Sequence, residues 1–107
     1  MGKASRDKGK RGEREVVNLL KKAGHQAQRT APLQAHSGNE SGADVLLDDK
    51  YRIEVKRRKN GFKQVYDYVE NVDFAFMRAD RRKYIVAMSI ETFLELYSKA
   101  KESGEND

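Results

Sequence analysis

The segment Gly42–Lys56 constrains the fold more than any other part of the chain, because its apolar residues alternate with charged ones. One set of alternate positions is apolar and comprises Val45, Leu47, Tyr51, Ile53 and Val55. The other set is polar apart from Leu46 and comprises Asp44, Asp48, Arg52, Glu54 and Lys56. A period of two is typical of strands that bury one face, so the segment predicts a β-hairpin.

The turn of this hairpin determines which side chains face each other. A loop of three residues pairs Leu47 with Tyr51 and, at the open end, Asp44 with Glu54. Directly opposed residues have Cβ atoms about 5 Å apart, and like charges at that distance destabilise a sheet, so two carboxylates there favour a bound cation. Lys56 follows Glu54 by two positions and is expected to point to the same face. The pattern predicts a metal-dependent hydrolytic site, provided that these charged side chains converge on one side of the sheet.

The oxygen donors of this site suit a hard cation. Mg²⁺ prefers carboxylate, carbonyl and water ligands, which here would be Asp44, Glu54 and the main-chain carbonyl of Val55. A metal in this position can activate water and neutralise charge on a phosphoryl oxygen. Lys56 would orient or deprotonate the water, or stabilise the pentacovalent phosphate. The expected cofactor is Mg²⁺, with Mn²⁺ as an alternative. The competing interpretation is a surface hairpin in which Lys56 merely bridges two acids.

A third acid lies in the first predicted helix, which runs from about residue 8 to Ala23 and stops at Gly24. The apolar stripe of this helix comprises Val16, Val17, Leu20 and Ala23. Glu13 falls on the same side as the stripe, whereas Glu15 faces elsewhere. A carboxylate at the edge of a buried stripe is costly unless it is paired, so Glu13 is a candidate to complete the metal shell or hold the water. The alternative is a first-turn acid that the helix dipole stabilises.

Charge is the most unusual feature of the composition, since 36% of the residues are charged, 37% are apolar and the net charge is +5. Basic residues cluster in Lys3–Arg14, in Lys56–Lys59 and in Arg78–Lys83. Such clusters are typical of proteins that bind polyanions, although an ordinary solvated surface can look the same. The residues expected to contact backbone phosphates are Lys10, Arg14 and Arg29.

The chain has no cysteine, which excludes disulfides, cysteine zinc sites and a thiol nucleophile. No apolar run approaches the roughly 20 residues that span a bilayer, and no hydrophobic segment follows the basic N-terminus. We therefore expect a soluble cytoplasmic protein without membrane partners or a small-molecule cofactor. The 107 residues predict a single domain, with a basic arm (1–7) and a polar tail (102–107) that are expected to be mobile.

The remaining segments predict the element order αβββαββα, with a loop over residues 31–42 that could reach a substrate and contains His36, interpreted as a solvated residue. The other predicted elements are a strand within 25–30, a helix over 62–71, strands over 73–77 and 84–88, and a last helix capped by Ser89. This order predicts an α/β fold around one central sheet.

Three segments together resemble a known family. Gly42-Ala43-Asp44 followed by Ile53-Glu54-Val55-Lys56 resembles the PD-(D/E)xK nuclease motif. The segment Lys8–Glu15 resembles the first helix of archaeal-type Holliday junction resolvases, and Arg29–Pro32 with Ser37-Gly38 resembles their segment after the first strand. The similarity covers about residues 8 to 60. Ala43 replaces the proline of the motif, which shapes the strand entry and ligates nothing.

The resemblance implies a restriction-endonuclease-like fold, in which a central mixed β-sheet is flanked by helices. It implies that Glu13, Asp44, Glu54 and Lys56 form the active site, with Ser37 as a further catalytic residue. The implied metal ligands are Asp44, Glu54, Val55 and Glu13. The implied DNA-binding residues are Lys8, Lys10, Arg11, Arg14, Arg29, Arg57, Arg58 and Lys59.

The function implied is a Mg²⁺-dependent, structure-selective DNA endonuclease that resolves four-way (Holliday) junctions in recombination and repair. A homodimer would match the two-fold symmetry of branched double-stranded DNA, and binding would depend strongly on salt. Three alternatives remain open: a repair, flap or restriction-type nuclease on the same scaffold, a non-catalytic DNA-binding module, and a basic protein that binds RNA or another protein.

Overall fold

The structure is a computed structural model, and it describes residues 2–30 and 44–105. In chain order the elements are α1 (Gly2–Lys22), β1 (Ala27–Arg29), β2 (Val45–Leu47), β3 (Tyr51–Ile53), α2 (Lys63–Val69), β4 (Ala75–Met77), β5 (Ile85–Ala87) and α3 (Ile90–Glu105). The protein is thus a small α/β protein, and within the described residues the order of helices and strands agrees with the prediction. None of the helices within these ranges has the length and apolar character needed to cross a bilayer.

Helix α1 is longer than predicted but ends where the sequence indicates. It begins at Gly2, so residues 2–7 of the segment interpreted as an arm are helical, because the Lys, Arg and Ala residues there favour a helix. At the other end, Gly24 adopts a left-handed φ of 95°. The His25 N–H donates to the Leu20 carbonyl at 3.0 Å and the Gly24 N–H to that of Lys21 at 2.9 Å. This is a Schellman motif, which satisfies the last carbonyls of the helix.

The first three strands form an antiparallel sheet in the order β1-β2-β3. Strands β2 and β3 pair Leu47 with Tyr51, as predicted, and Val45 with Ile53. The turn between them places Asp48 and Asp49 at φ values of 52° and 55°, which Asp tolerates better than most residues. The hairpin and its register over Val45–Leu47 and Tyr51–Ile53 are therefore confirmed, whereas Asp44 and Glu54 lie one position beyond this paired stretch.

Helix α1 packs against β1 and β2 and closes a small core. The buried apolar residues of the described chain are Val17, Leu20, Ala27, Val45 and Leu47. Val17 and Leu20 belong to the predicted helix stripe, of which Val16 is only half-buried and Ala23 is exposed. Val45 and Leu47 belong to the apolar face of the hairpin, although Tyr51 on that face remains 47% exposed. Burying a side chain such as Leu20 or Leu47 contributes roughly 1.5–3 kcal/mol, so these few residues supply most of the apolar stabilisation of the site.

The chain divides into two compact units, residues 1–57 and 58–107. The second unit contains α2, an antiparallel β4–β5 hairpin that pairs Phe76 with Val86, and α3. As predicted, Ser89 caps the last helix, because its Oγ accepts the Thr92 N–H at 3.2 Å. Every side chain described from 58 to 104 is at least partly exposed.

The sheet arrangement differs from the predicted single mixed sheet. The described strands form two antiparallel sheets, one of three strands and one of two. Successive strands joined by short turns pair as antiparallel hairpins, which accounts for β2–β3 and for β4–β5. Strand β3 also ends early, at Ile53. The Val55 N–H donates to the side chain of Asp44, so it does not extend the pairing with β2.

Candidate active site

Asp44 is fixed at the open end of the hairpin by its main chain and its side chain. Its N–H donates to the Ile53 carbonyl at 2.9 Å, and its carbonyl accepts the Thr30 N–H at 3.0 Å. The Asp44 Oδ2 atom accepts the N–H of Val55 at 2.7 Å. A hydrogen bond to a charged acceptor is worth about 1.5–3 kcal/mol. The carboxylate is thereby held against the backbone between Glu54 and Lys56.

Glu54 and Lys56 flank Val55 and both point away from the apolar core. Their side chains are 62% and 57% exposed, and the Lys56 Nζ lies 3.6 Å from the Glu54 Oε1. The contact shows that the two side chains share one side of the extended segment, as predicted. An exposed ion pair contributes roughly 0–1 kcal/mol, so either partner can be drawn to a ligand at little cost. The requirement that neither side chain enters the core is therefore met.

Glu13 lies on the inner side of α1, in contact with β1. Its Oε1 accepts the Nε–H of Arg29 at 3.0 Å, and the two side chains are only 18% and 22% exposed. Glu15 is 62% exposed, so the predicted difference between these two acids is confirmed. The alternative of a first-turn acid is wrong, because the helix begins at Gly2 and Glu13 lies well inside it. The pairing with Arg29 explains how a carboxylate is tolerated beside the core.

Helix α1 approaches the segment after β3 closely, a feature that the sequence reasoning missed. A Cβ at the buried Gly12 would lie 3.4 Å from the Val55 Cγ1 and 3.4 Å from the Arg57 Cδ. One turn further along, the Glu15 Oε1 accepts from the Arg57 Nη1 at 2.8 Å. The contact and the ion pair tie residues 55–57 to the helix that carries Glu13. A glycine inside a helix was the available signal, since it often marks close backbone packing.

The donor set can be compared with the needs of a cation. Within residues 2–30 and 44–105, no three His, Cys, Asp or Glu side chains are grouped closely enough to hold a metal ion. Mg²⁺, however, usually keeps several waters and takes only one or two protein carboxylates. Asp44, Glu54 and the Val55 carbonyl are chemically suited to that role. The carboxylate of Glu13 already accepts from Arg29, so its assignment as a ligand stays a prediction.

The predicted DNA-binding residues fall into two groups. Arg29 and Arg57 form ion pairs with acids on α1. The rest of the predicted DNA-binding residues form no ion pair within residues 2–30 and 44–105. Lys8 is half-buried, and the others are exposed: Lys10, Arg11, Arg14, Arg58 and Lys59. Lys10 and Arg14 are four positions apart, and Arg11 and Arg14 three, so these residues form one basic face of α1. Ser37 and His36 lie outside the described residues.

Comparisons of the chain with protein-family models, with curated proteins and with solved structures find no match. The assignment of the site therefore depends on its residues and on the contacts described above.

Proposed function

We propose that this protein is a Mg²⁺-dependent DNA endonuclease with a restriction-endonuclease-like fold that cleaves branched DNA, four-way junctions in particular, as a homodimer. The observation that carries the proposal is the 2.7 Å hydrogen bond from the Val55 N–H to the Asp44 carboxylate. It holds one acid beside Glu54 and Lys56, so that two carboxylates suited to a hard cation and an ammonium group suited to a phosphate lie close together.

In this mechanism Asp44, Glu54 and the Val55 carbonyl would hold the cation. When bound, Mg²⁺ lowers the pKa of a coordinated water and neutralises charge on a phosphoryl oxygen. Lys56 is exposed and only loosely paired with Glu54, so its ammonium group can turn toward the phosphate or the attacking water. Its positive charge would stabilise the extra negative charge of the pentacovalent phosphate.

The Glu13–Arg29 ion pair links two residues that the sequence analysis treats separately, Glu13 at the metal or water and Arg29 at the DNA phosphates. Arg29 uses its Nε–H for Glu13 and carries further N–H donors on its terminal nitrogens. A guanidinium oriented in this way is suited to hold a phosphate oxygen. We therefore assign Glu13 the orientation of Arg29, in addition to its predicted role at the metal or the water. The basic face of α1, formed by Lys10, Arg11 and Arg14, would contact the DNA backbone.

The first experiment offers the protein four DNAs of equal length, with and without Mg²⁺: a four-way junction, a fork, a flap and a linear duplex. We expect cleavage only with the metal and fastest cleavage of the junction. Equal cleavage of junction and duplex would contradict the junction assignment and leave the nuclease assignment standing. Failure to cut any of the four DNAs with Mg²⁺ or Mn²⁺ would contradict both.

Replacement of a single ligand tests the site itself. Glu54→Gln removes the charge that the cation needs, so we expect cleavage to fall by about 100-fold or more, while DNA binding is retained. Glu95→Gln is a matched control, because Glu95 is 65% exposed and lies 3.7 Å from the ammonium of Lys99. Normal cleavage by the Glu54 variant, or equal losses in both variants, would overturn the assignment.

A non-catalytic DNA-binding module is the second candidate. It is favoured by the pairing of Glu13 with Arg29 and by the lack of a three-acid group among the described residues. This candidate predicts that Mg²⁺ changes neither the melting temperature nor the DNA. The nuclease predicts that Mg²⁺ raises the melting temperature of the wild type and not of the Glu54→Gln variant.

A further inference from the structure

The loop between β4 and β5 concentrates positive charge in the second unit. This loop, residues 78–83, carries Arg78, Arg81, Arg82 and Lys83 and a single acid, Asp80. All of these residues are exposed. None of the ion pairs described for residues 2–30 and 44–105 involves the four cations. The loop therefore differs from the paired arginines of the first unit.

Local contacts give the loop a defined shape. The β4–β5 register, extended by one position from Met77 and Ile85, places Arg78 opposite Tyr84. The guanidinium carbon of Arg78 lies 5.6 Å from the centroid of the Tyr84 ring, within the range of a cation–π contact. The Arg82 N–H donates to the Ala79 carbonyl at 3.1 Å and closes the turn. The four cationic side chains line a concavity of about 710 Å³ together with Met77, Ala79 and Ile85.

The chemistry of these side chains favours phosphate. Arginine presents a planar fork of donors that matches phosphate geometry, and three of the four cations are arginines. Like charges within one tight turn also repel each other, and a polyanion relieves that repulsion. Double-stranded DNA offers about one negative charge per 1.7 Å of helix axis. We propose that the loop 78–83 is a phosphate-contact surface for the DNA backbone, additional to the basic face of α1.

This proposal rests on the proposed function only in that DNA is the ligand, and its test does not require cleavage. In the full chain, Arg81→Asn and Arg82→Gln are combined, since Asn tolerates the φ of 66° at position 81. Binding to a labelled four-way junction is measured by fluorescence anisotropy over a series of KCl concentrations. Each lost phosphate contact makes the slope of log K against log salt shallower by about 0.9, so we expect a change of about 1.8.

A second double variant, Lys63→Gln with Lys99→Gln, removes the same charge from the same unit. These lysines lie 2.8 Å from Asp67 and 3.7 Å from Glu95, so we expect the salt slope to change much less. Equal slope changes in the two variants, or an unchanged slope in the loop variant, would overturn the proposal, as would failure of the wild type to bind DNA. If the loop variant loses helical circular dichroism, Arg82→Gln with Lys83→Gln replaces it under the same criteria.

Cleavage measured in parallel separates this inference from the proposed function. Suppose that the wild type does not cut DNA and that the salt slope of the loop variant is shallower than that of the wild type. This result would support the phosphate surface and contradict the nuclease. Cleavage by the wild type, together with an unchanged salt slope in the loop variant, would support the nuclease and contradict the phosphate surface.

Discussion

The β2–β3 and β4–β5 hairpins both pair strands of three residues, but they differ in the length of the connection and in environment. The β2–β3 hairpin buries Val45 and Leu47 completely, and the Asp44 carboxylate closes its open end. In the β4–β5 hairpin, by contrast, Phe76 is 66% exposed and Ile85 63% exposed, on opposite faces of the strands. The first hairpin is thus fixed by buried side chains and by a side-chain hydrogen bond. The second has the hydrogen bonds of its strands and turn, but none of its side chains is buried.

This difference indicates what each hairpin can do. Hydrolysis requires groups held to within about 0.5 Å by packing and by supporting hydrogen bonds, conditions that only the first hairpin approaches. Contact with a polyanion requires charge more than precision, because phosphate contacts are largely independent of sequence and are governed by electrostatics. The basic loop 78–83 of the second hairpin supplies that charge without precisely positioned groups. In the proposed function, the first hairpin would carry the chemistry and the second would contact the DNA.

The largest expected effect comes from the core under the first hairpin. Leu47→Ala leaves a cavity beneath the site and should lower the free energy of unfolding by about 2–5 kcal/mol. Ile85→Ala, at an exposed position of the second hairpin, should change it by no more than about 0.5 kcal/mol. Urea denaturation followed by circular dichroism measures both. Similar losses would show that the two hairpins are equally restrained and would break the comparison.

A smaller effect is expected from the hydrogen bond that closes the first hairpin. Asp44→Ala leaves the Val55 N–H without its acceptor and should cost about 1–3 kcal/mol in the free energy of unfolding. Asp44→Asn keeps an oxygen in place, so most of the stability should return, whereas cleavage should not, since the charge is gone. Thermal melts and junction cleavage assays separate the two outcomes. Recovery of cleavage in the Asn variant would reduce Asp44 to a structural role.

Much of the first hairpin could be predicted from the sequence, because its information is local. Alternation of apolar and charged residues determines the faces, and a three-residue turn then determines the register of Leu47 with Tyr51. The same holds for the helix stop at Gly24 and the cap at Ser89, where one residue type satisfies one end of a helix.

Contacts between distant segments could not be predicted in this way. The bond from Val55 to Asp44 joins a main-chain group to a side chain and leaves no periodic pattern in the sequence. The ion pair of Arg29 with Glu13 depends on how α1 crosses β1, which local patterns do not determine. For the same reason, the sequence predicts one sheet, whereas the strands of the described residues form two. The sequence likewise predicts Arg29 and Arg57 as DNA contacts, and only the fold shows their pairing with Glu13 and Glu15.

The smallest expected effect concerns Arg57, for which the two interpretations give different results. Glu15→Arg and Arg57→Glu each break an exposed ion pair between α1 and the segment that follows Lys56, and such pairs are worth about 0.2–1 kcal/mol. If Arg57 positions the site through Glu15, each reversal should lower kcat by about two- to five-fold with little change in KM, and the double reversal should restore it. If Arg57 instead contacts DNA, Arg57→Glu should raise KM, and the double reversal should not repair it, because the acid at position 57 still faces the phosphates. Steady-state cleavage of the junction by the wild type, the two single variants and the double variant distinguishes these results. If kcat of the double variant is no higher than that of the single variants, the ion pair does not position Lys56.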